Sequence, residues 1–385
     1  MERKPTVLEF FAGGGMARLG LEPWFRCVFA NDIDPGKAAS YRANFGADHL
    51  IEADIANLKT EDLPTADLAW ASFPCQDLSL AGPRGGLKAT RSGTFWTFWH
   101  LIMTLDDEVR CPDTLVLENV PGLLTSNAGA DFAGLIAALV NAGFQVGAAI
   151  MDAADFVPQS RARLFLIATR AVLAERLIRR APGKFHPAPL IISVERLDAT
   201  LRANWVWWDL PSPPARRLAL RDIVERKVPE CVWRSEETCN KLLSQMTPAH
   251  RARVQKAVDS QDFQVGAVYR RIRKGVQRAE VRYDGLAGCL RTLRGGSSRQ
   301  LLLISENGQL GLRPLSGREA ARLMGLSETY RIPDGVTQAT NLVGDGVCVP
   351  VVSWLAHHLL SRLYVTKPVK ASNAQTDLMH ANHQI

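Results

Sequence analysis

The sequence predicts an α/β protein built on a doubly wound, mostly parallel sheet, with a smaller domain inserted before its last helices. Three observations predict it. Short apolar runs of strand length alternate with helical stretches over roughly the first 170 residues. A glycine turn follows the first of these runs and opens directly into a helix. Beyond about residue 175 the alternation stops, and prolines and tryptophans crowd in ("FHPAP", "NWVWWDLPSPP") before helical periodicity returns.

The elements follow in order. "PTVLEFFA" (5–12) reads as a buried strand, Gly13-Gly14-Gly15 as the turn, and Ala17 to Leu21 as the helix it opens. "CVFAN" (27–31) is a second strand ending at Asp32-Ile33-Asp34-Pro35, and a helix over 36–45 follows. "HLIEADI" (49–55), "ADLAWASF" (66–73) and "DTLVLENV" (113–120) are three more apolar strands, with helices over 94–106 and 131–142 between and after them. "FQVGAAIMD" (144–152) and "RLFLIATR" (163–170) close the sheet as a hairpin. "LRPLSGREAARLMGL" and "PVVSWLAHHLLSRLYV" are helical, and the tail from Lys367 is polar enough to be disordered. No internal repeat is visible. The domains expected are 1–175 with 312–366, an insert over 176–311, and a tail over 367–385.

Bulk properties narrow the class. At 385 residues, with 46% apolar and 22% charged content, the chain has the makeup of a soluble globular protein of two or three domains. No uninterrupted apolar run reaches the roughly 18 residues of a membrane span, and "MERKPTVLEFFAGGG" lacks the form of a secretory signal. Seven scattered cysteines without a C-x-x-C pair argue against a disulfide framework and against a zinc cluster, so no metal is expected, and they fit a reducing cytoplasm. Residues 269–299 hold nine Arg or Lys against Glu280 and Asp284, so this segment alone equals the chain's net charge of +7. Such a run is either a solvated face or a surface for a polyanion, foremost nucleic acid.

The chemistry collects at the strand ends. A strand, three glycines and a helix make a nucleotide-type site, since glycine lets backbone approach a ligand. Asp32, 19 residues beyond Gly13, stands where an acidic residue takes ribose hydroxyls, and Asp54 ends the third strand. Gly, Asp and Asp on consecutive strand ends point to an adenosine-containing cofactor, either NAD or S-adenosylmethionine; carboxylates would repel a phosphate. Cys75 follows the fourth strand in "FPCQ", and Pro74 with the polar loop 77–93 sets it apart from a core thiol. Glu118 closes the apolar fifth strand, where desolvation favours a proton donor over a carboxylate. A cap on the segment after Pro121 is its plainer role. A thiol nucleophile and an acid on adjacent strand ends suit covalent catalysis on an electrophilic ring.

Six motifs in fixed order then carry a resemblance. "FFAGGG", "PCQ", "ENV", "QSRAR" (159–163), "RPLSGREAARLMGL" (313–326) and "GDGVCVP" (344–350) are similar to the cofactor loop, nucleophile, acid, Gln-x-Arg-x-Arg and closing motifs of DNA cytosine-5 methyltransferases. The resemblance implies the S-adenosylmethionine-dependent methyltransferase fold, with an inserted target recognition domain. It implies Cys75 as nucleophile on carbon 6 of a flipped-out cytosine, Glu118 as the donor at ring nitrogen 3, Arg163 on the cytosine carbonyl, and Gln159 and Arg161 in support. It places Phe11, Gly13, Gly15, Asp32, Ile33, Asp54, Ile55, Phe73, Pro74, Asp345 and Val347 around S-adenosylmethionine. Two residues depart from the family: Met16, where its cofactor loop carries glycine, and Asp345, where its last motif carries asparagine.

The implied partner is double-stranded DNA, met by Arg270, Arg271, Arg273, Lys274, Arg291, Thr292 and Arg294, with Thr292-Leu293 similar to the family's Thr-Leu pair. The chain is expected to act as a cytoplasmic monomer with a restriction endonuclease as a candidate partner. Three rivals stand beside this reading. A tRNA methyltransferase of the same fold is opposed by the long Trp- and Arg-rich insert. A catalytically dead regulator is opposed by Cys75, Glu118 and Arg163, and an NAD dehydrogenase leaves Cys75 and the arginines without a role.

Overall fold

The computed structural model describes residues 3–74, 93–273, 275–292 and 299–364. Cys75, the rest of the expected catalytic loop up to residue 92, Lys274, Leu293, Arg294 and the polar tail lie outside the described residues, as does the side chain of Arg273.

The central sheet has the strands β1 (Thr6–Phe10), β2 (Arg26–Asp32), β3 (Leu50–Glu52), β4 (Leu68–Ala71), β5 (Thr114–Asn119), β6 (Gln145–Asp152) and β7 (Ala162–Thr169). They lie in the order β3-β2-β1-β4-β5-β7-β6. β1 to β5 are parallel, and β7 is antiparallel to both its neighbours. Helices α1 (Met16–Leu21), α2 (Pro35–Phe45), α3 (Thr94–Asp107) and α4 (Ala130–Asn141) fill the crossovers. Each of these elements lies within a few residues of its expected place. α2 starts where Asp34 caps it: Oδ1 accepts the Gly36 and Lys37 N–H groups at 2.8 and 3.0 Å, and Pro35 opens the first turn.

Alternation along the strands splits the core in two. Val7, Leu68, Trp70 and Val116 face α1 and the closing helices α10 (Gly317–Leu323) and α12 (Val349–Leu355). Leu8, Phe10, Ala69, Leu115 and Leu117 face α3, α4 and α5 (Ala188–Glu195). Between α5 and the second sheet run β8 (Ile178–Arg179), α6 (Ala199–Ala203), β9 (Trp207–Trp208), α7 (Leu220–Ile223), α8 (Glu236–Ser244) and α9 (Pro248–Asp259).

The second sheet is antiparallel in the order β11-β10-β12-β13, from β10 (Gln264–Arg273), β11 (Val276–Arg282), β12 (Leu301–Glu306) and β13 (Gln309–Pro314). Val268, Ala279, Val281, Leu301 and Leu303 on one face pack on α8 and α9. Val265, Ala267, Leu302 and Ile304 on the other join the first core, so this sheet is fastened to the central one. β13 crosses the 311/312 boundary read from sequence, and the helix expected from 313 begins only at Gly317, after a Ser316–Glu319 capping box. α11 (Val336–Asp345) was not anticipated.

Two stretches, Pro121–Asn141 and Val336–Leu363, have the length and apolarity of a membrane span. Both are broken. The first leaves helical geometry at Ser126, Asn127 and Ala128, and the second between α11 and α12. Their apolar side chains, such as Leu135, Leu139, Val351 and Leu355, enter the two cores.

Candidate active site

Because β1 to β5 are parallel, their C-terminal ends share one edge of the sheet, and the antiparallel β7 brings its first residues to that same edge. Topology therefore gathers Phe11, Asp32, Asp54, Phe73, Glu118 and Arg163 there.

The glycine turn leaves β1 through positive φ angles at Phe11 (57°), Gly13 (56°) and Gly15 (78°). A Cβ built on Gly13 would meet nothing within 4 Å, so this side of the loop is open. The loop is closed from behind, where the Tyr330 hydroxyl donates to the Gly14 carbonyl at 2.6 Å. Asp32 is buried beside it: Oδ2 accepts the Gly13 N–H at 2.7 Å and Oδ1 the Asp34 N–H at 2.9 Å. Burial pushes the Asp32 carboxyl above the usual range, opposed by those N–H groups and by Lys37. Ile33, the next residue, is 62% exposed. Asp54 Oδ1 accepts the Ala56 N–H at 2.9 Å and caps a short turn whose Ile55 is buried. An open glycine loop, carboxylates at strand ends and an exposed aliphatic side chain suit a ligand with a ribose and a flat base but no phosphate.

Two other groups stand at this edge. Arg163 Nε lies 3.0 Å from Glu118 Oε1, and both side chains are largely buried, 14% and 9% exposed. Asn119, not singled out from sequence, donates from Nδ2 to the Phe73 carbonyl at 3.1 Å and accepts the Val120 N–H at 2.8 Å. It fixes the chain at Phe73, which is buried, and Pro74, which is exposed, just before Cys75. The signal for Asn119 was present in "LENV": a buried amide ending a strand needs partners of its own.

Gln159 and Arg161, expected in support of the cytosine pocket, are bonded into the framework beside it. Gln159 is buried; Nε2 donates to the Leu323 carbonyl at 2.7 Å, and Oε1 accepts the Leu290 N–H at 3.0 Å. The buried Arg161 guanidinium donates to the carbonyls of Leu290 (2.8 Å), Gly344 (3.0 Å) and Gly346 (2.6 Å). Burial, then the nearby Arg163, lowers its tendency to hold a proton. Backbone carbonyls from two distant segments absorb this cation, which ties the hairpin to both.

The two departures from the family each have a partner. Met16 is buried with its side chain packed on Gly346, so a Cβ there would meet its sulfur and methyl. Asp345 Oδ2 accepts from Lys37 Nζ at 2.7 Å. Burial works against the Lys37 ammonium, but Asp345, with Asp32 and Asp34, holds it above its usual value. Val347 is buried next to this loop.

The expected DNA contacts divide. Arg270 and Arg271 are neighbours on β10 and therefore leave opposite faces of the second sheet. Arg291 is exposed, and its carbonyl carbon and the Thr292 nitrogen lie 2.6 and 2.8 Å from where a Cβ on Gly344 would be. That close approach requires glycine.

Comparison with known proteins bears on the family and the fold. A family model described as "C-5 cytosine-specific DNA methylase" matches residues 5–361. "Type II methyltransferase M.NlaX" of Neisseria lactamica is 28% identical over 361 residues, covering 93% of this chain and 96% of that protein. "Type II methyltransferase M.Bsp6I" of Bacillus sp. (strain RFL6) is 25% identical, covering 92% and 98%. Among solved structures, the S. pombe Dnmt2 methyltransferase shares the fold with a TM-score of 0.59 at 19% identity, covering 94% of this chain and 98% of that one. The Entamoeba histolytica methyltransferase EhMeth does so at 0.58 and 15%, covering 94% and 99%.

Proposed function

Because the chain belongs to the C-5 cytosine-specific DNA methylase family, we propose that it methylates carbon 5 of a cytosine swung out of a specific duplex site, through a covalent bond to Cys75. The protein is a DNA (cytosine-5-)-methyltransferase, and its cofactor is S-adenosylmethionine. Residues 1–175 with 312–366 form the catalytic domain in this reading, and 176–311 read the DNA. The relatives named as type II methyltransferases support a place beside a restriction endonuclease.

The Glu118–Arg163 pair carries the reading. A base placed between them offers its carbonyl to the Arg163 guanidinium and ring nitrogen 3 to Glu118. Carbon 5 of cytosine is a poor nucleophile. Addition of the Cys75 thiolate to carbon 6, with a proton or hydrogen bond from Glu118 at nitrogen 3, turns the ring into an enamine nucleophilic at carbon 5. S-adenosylmethionine supplies the electrophilic methyl group when bound. Loss of the carbon-5 proton then expels Cys75 and restores the ring as 5-methylcytosine. Asn119 holds the backbone from which Cys75 departs, Asp32 and Asp54 take the cofactor's polar groups, and Ile33 covers its base.

Tritium transfer from labelled cofactor, run on plasmid DNA and on tRNA, tests this. Label in DNA that bisulfite sequencing places at one recurrent site is expected. Label in tRNA alone overturns the duplex reading, and label in neither overturns the activity.

A further inference from the structure

The basic run "YRRIRK" reads as one surface in the sequence, but β10 divides it. Tyr269 and Arg271 leave the face that packs on the central sheet's core; Arg271 lies 3.8 Å from Glu280, and the Tyr269 ring abuts Gly288. Arg270 leaves the opposite face, with Val268, toward α8. There it enters an open cavity of about 830 Å³ with Arg234, Lys241, Arg299, Gln245 and Gln277 around it. Arg234, before α8, and Lys241, on it, are exposed. Arg299 donates to the Thr337 hydroxyl at 3.2 Å, in the first turn of α11, so the positive end of that helix also borders the cavity. No aspartate or glutamate lines it among the described residues.

From this convergence of four cationic side chains on one concave, acid-free site we propose that the cavity is a phosphate-binding site for the DNA backbone, separate from the face that carries Arg271. Like charges gathered in a cavity repel one another; burial first, and then the nearby Arg234, lowers the proton affinity of Arg270. An anion that enters relieves that repulsion. Guanidinium forks bind phosphate oxygens in pairs, and the amides of Gln245 and Gln277 add neutral donors. The occupant is a phosphate of the duplex flanking the recognised site: the cavity shares β10 and β11 with the hairpin that bears Arg271, so a strand followed across that hairpin reaches it. Such a contact adds affinity and orientation without reading sequence.

This inference rests on the DNA-methylating function above, and the test separates the two. Binding of duplex DNA is measured against salt for the wild type, for R234A/K241A, and for R251A/R253A, which removes the same charge from exposed positions on α9. The pocket variant is expected to lower the slope of log affinity against log salt by about 0.9 for each phosphate lost. The α9 variant is expected to keep the wild-type slope, and cofactor affinity should be equal in all three. Trimming the duplex on one side of the site should remove the same increment from the wild type and nothing from the pocket variant. Equal slopes in all three proteins, or equal losses in both variants, overturn the phosphate site while leaving the enzyme's function intact. Wild-type protein that neither binds nor methylates DNA overturns the function itself.

Discussion

Arg163 Nε and Glu118 Oε1 stand 3.0 Å apart on adjacent antiparallel strands, at the edge where five parallel strands end. Glu118 is opposite Phe165 in the register, so Arg163, two residues earlier on β7, leaves the same face. Neither side chain needs a ligand to be placed, and a base entering the site exchanges their mutual contact for contacts with its own polar edge. Glu118→Gln keeps the shape, but the amide cannot pass a proton to ring nitrogen 3. Single-turnover methyl transfer should slow by about 10²- to 10⁴-fold, while cofactor affinity stays near wild type.

Met16 and Gly346 are a packed pair, and their substitutions should not add. Gly346→Ala drives a methyl group into the Met16 thioether and should cost about 1–3 kcal/mol of stability. Met16→Ala alone leaves a cavity. In the double variant the new methyl group occupies part of that cavity, so thermal or denaturant unfolding should show a loss well below the sum of the single losses.

Asp345 does not face the cofactor site as a lone charge, because Lys37 holds it at 2.7 Å. Asp345→Asn leaves the Lys37 ammonium without its nearest carboxylate, in the loop that the resemblance places around the sulfonium-bearing cofactor. S-adenosylmethionine should bind a few-fold more weakly, a modest effect because the pair is 22% and 44% exposed. The uncharged thioether product, S-adenosylhomocysteine, should lose less. Adding Lys37→Met to Asp345→Asn should restore most of the difference. Calorimetric titration with both ligands measures it.

Glu9 lies wholly buried on β1. Its Oε1 accepts the Arg18 N–H at 3.0 Å, Oε2 has no hydrogen-bond partner among the described residues, and burial pushes its carboxyl up to about 8. Folding therefore favours the protonated acid. Its contribution is fully present below the unfolded value near 4.5 and is lost as pH rises through about 8. Wild-type stability should fall by a few kcal/mol across that window. Glu9→Gln should flatten that part of the pH profile in urea unfolding.

Much of the active edge was legible in the sequence because each strand there is a short apolar run ended by a polar residue. "VLEFFAGGG", "CVFAND" and "LVLENV" needed no tertiary information to place Gly13, Asp32 and Glu118. The second sheet was not legible. "LLLISE" can be a buried strand or a buried helix turn until its partners are known. Pairings between distant segments were equally hidden: Lys37 and Asp345 are 308 positions apart, and Arg161 meets carbonyls 129 and 183 positions away. The basic run is one segment in the sequence but not one surface, since charge counting ignores the two-residue period that sends Arg270 and Arg271 to opposite faces.

The covalent step can be observed at Cys75 itself. Duplex DNA carrying 5-fluorocytosine accepts thiol addition and methylation, but it has no carbon-5 proton to lose, so the enzyme cannot be expelled. With S-adenosylmethionine present, the wild type should form a complex that survives denaturant, and mass spectrometry should place the nucleotide on Cys75. Cys75→Ser should bind the same DNA without forming that complex. Attachment at another residue, or methyl transfer to ordinary DNA by Cys75→Ser at the wild-type rate, would contradict covalent catalysis by Cys75.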